Sequence, residues 1–179
     1  MKIYNKILSK REQHKLEKIC LDVNFPWFYL ADTAFSPTKS KRLNSQHDSF
    51  SHLLYRRYDR PAHSAFLHLF EPYLKTISHK INLDYEKIIR VRLGMYYPRA
   101  KTSRHHNPHV DDERIHMTAL YYVNNSTGNT FMFSQKPPIE ITPQQGKLVV
   151  FKGDLRHASS DPKDKLRITL NINYAIERY

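Results

Sequence analysis

The period of the hydrophobic pattern changes near Asp84, and that change limits the fold more than any single motif. Before it, apolar residues recur every three or four positions. Leu16, Ile19, Cys20 and Val23 follow a Ser9-x-x-Glu12 capping box, which predicts a helix over residues 9–22 ended by Asn24 and Pro26. Phe66, Leu69, Phe70, Tyr73, Leu74, Ile77 and Ile81 predict a second helix after Pro61, kinked or divided at Pro72. Between the two, Phe25–Tyr29 reads as a short buried strand. The polar stretch 32–48 reads as a long loop, either a lid over a site or a disordered connection. After Asp84, polar and apolar residues alternate in short segments separated by turn residues: Ile88–Tyr97, His116–Asn124, Thr130–Ser134, Ile139–Thr142, Lys147–Lys152 and Leu166–Tyr174. Such a pattern gives a strand one apolar face and gives a helix none. The fold class expected is mainly β with N-terminal helices, the β half forming an antiparallel sandwich or barrel. A chain of 179 residues is one domain's length, so residues 1–179 are expected to form a single unit.

Composition narrows the chemistry. One cysteine, Cys20, permits neither an internal disulfide nor a Cys-rich zinc module, which leaves His, Asp and Glu as the available metal ligands and favours a reducing, cytoplasmic setting. No run of about 18 apolar residues occurs, and the first 18 residues are charged throughout, so no membrane association is expected. The formal charge of +12 would attract anionic partners such as nucleic acid, phosphorylated metabolites or acidic peptides. Because Lys and Arg are spread along the whole chain, it is equally the charge of a plain solvated surface.

Within the β half, His109-Val110-Asp111 places an imidazole and a carboxylate two residues apart, on one side of an extended chain. With 11 histidines and 10 aspartates in 179 residues, roughly 0.6 His-x-Asp pairs arise by chance, so the pair alone is weak. His157, after the apolar segment Leu148–Phe151 and the Gly153-Asp154 turn, can supply a third ligand. Two imidazoles and one carboxylate make the facial triad of non-haem Fe(II) oxygenases. Arg167 adds weight. It leads the polar face (Arg167, Thr169, Asn171, Asn173) of a strand whose other face is Leu166, Ile168, Leu170, Ile172 and Tyr174. In an isolated strand such a face is solvent-exposed; beside a metal site, a guanidinium is suited to bind a dicarboxylate in bidentate fashion. His105 and His106, with no carboxylate at a suitable offset, read as part of a basic loop with Arg99, Lys101 and Arg104 that either meets an anionic substrate or is merely solvated.

The order Tyr96-Tyr97-Pro98, His109-x-Asp111, Leu120-Tyr121-Tyr122-Val123-Asn124, Gly128-Asn129-Thr130, Gly146-Lys147-Leu148-Val149-Val150-Phe151, His157 and Arg167 resembles the 2-oxoglutarate/Fe(II)-dependent oxygenase superfamily, and within it the prolyl hydroxylase type, including short phage and bacterial members. The resemblance covers most of residues 88–175. It implies a double-stranded β-helix (a jelly roll, cupin-like) over 85–179, with 1–84 as helical support and lid loop. It implies Fe(II) on His109, Asp111 and His157, with 2-oxoglutarate and O2 as cosubstrates. Arg167 would hold the distal carboxylate of 2-oxoglutarate and Tyr122 would bond the same group, with Thr169 and Tyr97 as further contacts; each aromatic has core packing as its ordinary alternative. Thr127-Gly128-Asn129-Thr130-Phe131-Met132 departs from the family's usual Gly-Gly-x-Thr-x-Phe stretch.

The expected activity is therefore hydroxylation of a C–H bond, with a prolyl residue of a peptide or protein as first substrate. A free amino acid, another small molecule or a nucleic acid is the alternative. The superfamily's nucleic-acid demethylases carry a second arginine six residues after the first and an Asn-x-Tyr segment, where this chain has Asn173 and Met95-Tyr96-Tyr97, which makes nucleic acid the weaker choice. Two rivals need no 2-oxoglutarate: a noncatalytic basic jelly-roll module that binds nucleic acid, and a cupin-like Zn or Mn enzyme, against which Arg167 argues.

Overall fold

Ser9 starts the first helix in the computed structural model, which describes residues 1–31, 48–100 and 104–176. The Glu12 amide donates to the Ser9 hydroxyl at 3.3 Å and the Ser9 amide to the Glu12 carboxylate at 2.7 Å, so two donors left over at the helix start are satisfied reciprocally. The helix, α1, runs Lys10–Leu21 and buries Leu16 and Cys20. Val23, expected on the same face, lies past the helix end and is 97% exposed, because Asp22 already has extended geometry.

Pro72 does not divide the second helix. This helix, α2 (Leu67–Ile81), is continuous, and Phe70, Tyr73, Leu74, Ile77 and Ile81 form its buried side. Pro72 and His68 both lie on the exposed side, where water can reach the His68 carbonyl that the missing Pro72 amide leaves unpaired. The buried strand expected over Phe25–Tyr29 is also displaced. Phe25 sits in the core, stacked 4.8 Å from the His52 ring, while Pro26 gives its carbonyl to His52 Nδ1 and has no amide for a ladder. The strand itself is Phe28–Leu30, with Phe28 and Tyr29 exposed. The stretch read as a lid or disordered loop lies, but for Asp48, outside the described residues.

The strands are β1 (Lys2–Tyr4), β2 (Phe28–Leu30), β3 (Ser49–Arg56), β4 (Ala62–His63), β5 (Ile88–Tyr96), β6 (His116–Tyr122), β7 (Thr130–Met132), β8 (Ile139–Ile141), β9 (Leu148–Lys152), β10 (His157–Ser159) and β11 (Arg167–Ala175). The larger sheet has the order β1-β9-β6-β11-β5-β3-β2, with β4 on β3; the smaller is β10-β7-β8, and all pairings are antiparallel. This is the double-stranded β-helix expected. One face of β11, with Ile168, Leu170, Ile172 and Tyr174, packs with α1 and α2 residues into the main core, where the Tyr174 hydroxyl lies 2.9 Å from that of Ser78 on α2. Each such aliphatic side chain contributes about 1.5–3 kcal/mol by leaving water. The opposite face of the sheet meets the smaller sheet through a second cluster, Leu120, Tyr122, Val149 and Phe151 against Met132 and Ile141. The sheet is thus covered on both sides, and the polar face of β11 is interior rather than solvent-exposed.

Candidate active site

Register sets what shares that interior face. Directly paired residues of antiparallel strands point to the same side, so Arg167, Thr169, Asn171 and Asn173 of β11 face the same way as Tyr96, Gly94, Arg92 and Arg90 of β5 and as Tyr122, Leu120 and Thr118 of β6. Thr130 reaches this group from β7 through hydrogen bonds to Tyr122 and Arg167.

Near the Asn173 end of the face, His109, Asp111 and His157 come together, with one potential ligand atom from each lying within 4.8 Å of the others. Backbone pairing places the two histidines: His109 and His157 exchange amide-to-carbonyl bonds of 2.9 and 3.0 Å, the isolated bridge that joins the loop before β6 to β10. Each imidazole sets its Nδ1 3.1 Å from a carbonyl, that of Asn107 for His109 and that of Leu155 for His157. A carbonyl only accepts, so the proton belongs on Nδ1 and the Nε2 lone pair is left for a ligand. Asp111 Oδ2 accepts from Asn171 at 2.9 Å, Asn173 at 3.3 Å and Thr118 at 3.4 Å, and stands 3.8 Å from His157 Nε2. Arg90 donates to the Asp111 carbonyl at 2.7 Å and approaches its carboxylate at 3.5 Å. Burial works to raise the Asp111 pKa, yet His157, Arg90, His109 and the Asn171 hydrogen bond outweigh it and hold the group well below the usual carboxylate range. Burial, helped by His157, pushes His109 down to about 4. A charged Asp111 carboxylate beside a neutral His109 imidazole is the protonation state a divalent metal requires.

At the other end, Arg167 is 2% exposed. Its Nε donates to the Gly128 carbonyl at 2.8 Å and one terminal nitrogen to the Thr130 hydroxyl at 2.8 Å, to which the Tyr122 hydroxyl also donates at 2.7 Å. The rings of Tyr96 and Tyr122 lie 5.5 and 5.8 Å from its guanidinium carbon. Gly128 is required for this approach, since a Cβ there would meet the Ser160 carbonyl at 2.7 Å and Arg167 Cδ at 2.9 Å. No carboxylate among the described residues lies within ion-pair distance of Arg167. Burial lowers its pKa, and a buried guanidinium with no counter-charge costs several kcal/mol until an anion arrives.

The residues expected from the sequence are distributed unevenly. Tyr122 and Thr169 share the face with Arg167, but Tyr97 does not reach it: its hydroxyl donates to Asp48 at 2.6 Å, and the tyrosine beside Arg167 is Tyr96. His106 is buried against Asp161 at 2.9 Å and His105 packs on Phe131 and Phe133, so neither joins the metal cluster. The described arginines of the basic loop are paired with carboxylates from other segments. Arg99 binds Asp48 and Asp161, Arg104 meets Glu140 at 3.0 Å, and Lys101 lies outside the described residues. Arg90 and Arg92 were not expected at the site. Their alternation with Ile89, Val91 and Leu93 carried the signal, being the same period-two pattern that marked β11.

Neither a protein-family model nor a curated relative matches this sequence. Solved structures do match in fold. An oxidoreductase of the 2OG-Fe(II) oxygenase family from Burkholderia pseudomallei superposes with a TM-score of 0.67 at 13% identity, covering 96% of this chain and 82% of its own. A prolyl hydroxylase from Trichoplax adhaerens, solved with a peptide fragment of the hypoxia inducible factor oxygen degradation domain, gives 0.69 at 14% identity, with 97% and 82% covered. A Pseudomonas putida prolyl-4-hydroxylase gives 0.58 at 15% identity, with 99% and 92% covered. The chain therefore has the double-stranded β-helix architecture of these oxygenases along nearly its whole length.

Proposed function

We propose that this protein is an Fe(II)- and 2-oxoglutarate-dependent dioxygenase that hydroxylates a C–H bond. The observation that carries the reading is Arg167, a buried guanidinium without a carboxylate partner among the described residues, on the same sheet face as the His109, Asp111 and His157 cluster. A metal site alone would suit many chemistries; a metal site with a buried anion receptor on the same face suits a chelating dicarboxylate. Once bound, Fe(II), 2-oxoglutarate and O2 supply the oxidation, in which 2-oxoglutarate loses CO2 to become succinate and one oxygen atom enters the substrate C–H bond.

The chain's own groups do the positioning. His109, Asp111 and His157 would hold the metal. Arg90, Asn171, Asn173 and Thr118 fix the Asp111 carboxylate, and the Asn107 and Leu155 carbonyls fix the imidazoles. Arg167 would receive the far carboxylate of 2-oxoglutarate, its guanidinium donating to the Thr130 hydroxyl to which Tyr122 also donates, with Thr169 on the same face. Tyr97 has no part in this arrangement. No side chain is assigned as general acid or base, because orientation and exclusion of water are what the protein supplies.

A prolyl residue of a peptide or protein is the first substrate class. Its support is that two of the similar structures named above are prolyl hydroxylases, one solved with a peptide. The test is to add 2-oxoglutarate to the anaerobic Fe(II) protein. A metal-to-ligand charge-transfer band in the visible is expected, followed on admitting air by succinate release that increases with the true substrate across proline-containing peptides, amino acids and nucleic acids. Folded protein that gives no band and binds no metal would return the choice to a basic jelly-roll module, which salt-sensitive, chelator-insensitive nucleic-acid binding would identify.

A further inference from the structure

The charges on the interior face do not balance, and the imbalance points to the substrate. Among the described residues, three guanidinium groups, those of Arg90, Arg92 and Arg167, share it with one carboxylate, that of Asp111. The nearby buried Asp161 is already taken by His106 and Arg99. On the dioxygenase reading, the metal dication and the 2-oxoglutarate dianion cancel, so the loaded site still holds two positive charges in excess. Arg90 spends its charge on Asp111 and Arg167 on the cosubstrate. Arg92 has neither: its Nε donates to the Ser51 hydroxyl at 2.9 Å, and its two terminal nitrogens have no hydrogen-bond partner among the described residues.

Arg92 is also well placed. In register it stands opposite Asn171, whose amide holds Asp111, so it lies at the level of the metal cluster and on the β3 side of it. Two residues along the strand, Gly94 contributes no side chain, which keeps the floor open between Arg92 and Tyr96. Burial first and then the neighbouring Arg90 disfavour its charged form, while Tyr96 and Asp111 act the other way. We propose that Arg92 is a specificity-determining residue that binds a carboxylate of the substrate, and that the molecule hydroxylated is a carboxylic acid whose reacting carbon lies within a few bonds of that carboxylate. This rests on the dioxygenase reading and sharpens it. A free amino acid or the carboxyl-terminal residue of a peptide satisfies it, whereas a proline in mid-chain brings no carboxylate of its own. A guanidinium also takes phosphate, and phenyl phosphate serves below to separate the two anions.

The experiment uses the full chain loaded anaerobically with Fe(II) and 2-oxoglutarate. Matched pairs of probes, L-proline with L-prolinamide, N-acetyl-L-proline with its amide, and L-leucine with L-leucinamide, are titrated by calorimetry, with phenyl phosphate as the second anion. In at least one pair the acid should bind more than about tenfold tighter than the amide. Arg92→Gln should abolish that preference by weakening the acid alone, and Arg92→Lys should keep part of it, a rescue that general damage to the fold would not give. Equal binding of acids and amides in every pair, retention of the preference in Arg92→Gln, or tighter binding of phenyl phosphate than of any acid each overturns the assignment. The charge-transfer band of the wild-type protein judges the dioxygenase reading separately: with the band present and no acid preference, only the role of Arg92 falls.

Discussion

The two faces of β11 are both buried, and for opposite reasons. On the helix side, Ile168, Leu170, Ile172 and Tyr174 leave water for close packing, and every contact stabilises the fold. On the other side, Arg167, Thr169, Asn171 and Asn173 leave water too, yet the gain is incomplete: among the described residues, Asn171 Oδ1, Asn173 Oδ1 and the Nε of their neighbour Arg90 are buried without hydrogen-bond partners, and Arg167 has no counter-charge. Burial of this kind opposes folding. One face therefore supplies the stability that lets the other be held rigid and charged before any ligand binds, which is what a preorganised site needs.

Substitutions on the two faces should separate stability from binding. The largest effect is expected at the metal cluster: His157→Ala should weaken Fe(II) or Mn(II) binding by more than about 100-fold in calorimetry while leaving the apoprotein's urea midpoint nearly unchanged. A large loss of stability with metal binding intact would reverse the roles given to the two faces. Arg167→Met should reduce 2-oxoglutarate affinity by about 2–5 kcal/mol, on the order of 100-fold, because it removes one partner of a buried charge pair. The same variant should leave the apoprotein as stable as the parent or more so, since an uncompensated charge is replaced by an apolar chain. Ile172→Ala on the other face should do the converse, costing about 2–5 kcal/mol of unfolding free energy with metal and 2-oxoglutarate affinity preserved.

The same contrast explains what was legible in the sequence. Alternation located the strands of the β half to within a residue or two, and the Ser9 and Glu12 pair located α1, because both signals are local and depend only on periodicity or on neighbouring backbone donors. It failed where register or tertiary pairing decides. No local pattern marked β3 or β10; the first is fixed by its ladder to β5 and the second by β7 and the His109 bridge. The family resemblance offers Tyr97 as a cosubstrate contact, but a one-residue change of register exchanges the faces, and the pairing of Tyr96 with Arg167 puts Tyr96 on the interior one. The Arg99 and Arg104 loop resembled an anion-binding surface until its partners Asp48, Asp161 and Glu140, all remote in sequence, were in place.

The smallest effect expected is a pH dependence confined to the interior face. The ionisable groups buried on or near the helix side, Cys20, Tyr73, Tyr121 and Tyr174, are all shifted upward by burial, Cys20 and Tyr174 to about 12, so they stay neutral throughout the acid range. His109 behaves differently. Its folded pKa of about 4 lies below the ordinary 6.5, so between those values the unfolded chain binds the proton more readily and each step down in pH favours unfolding. The stability it contributes is fully present above about pH 6.5 and is lost as the pH falls through about 4. Metal-free protein should accordingly lose roughly 1–2 kcal/mol between pH 7 and pH 5 in urea unfolding. Ile172→Ala should show the same decrease from a lower starting point, whereas His109→Gln should show a flatter profile. If His109→Gln kept the wild-type slope, the acid sensitivity would originate elsewhere, and burial of a neutral imidazole beside Asp111 would no longer distinguish the two faces.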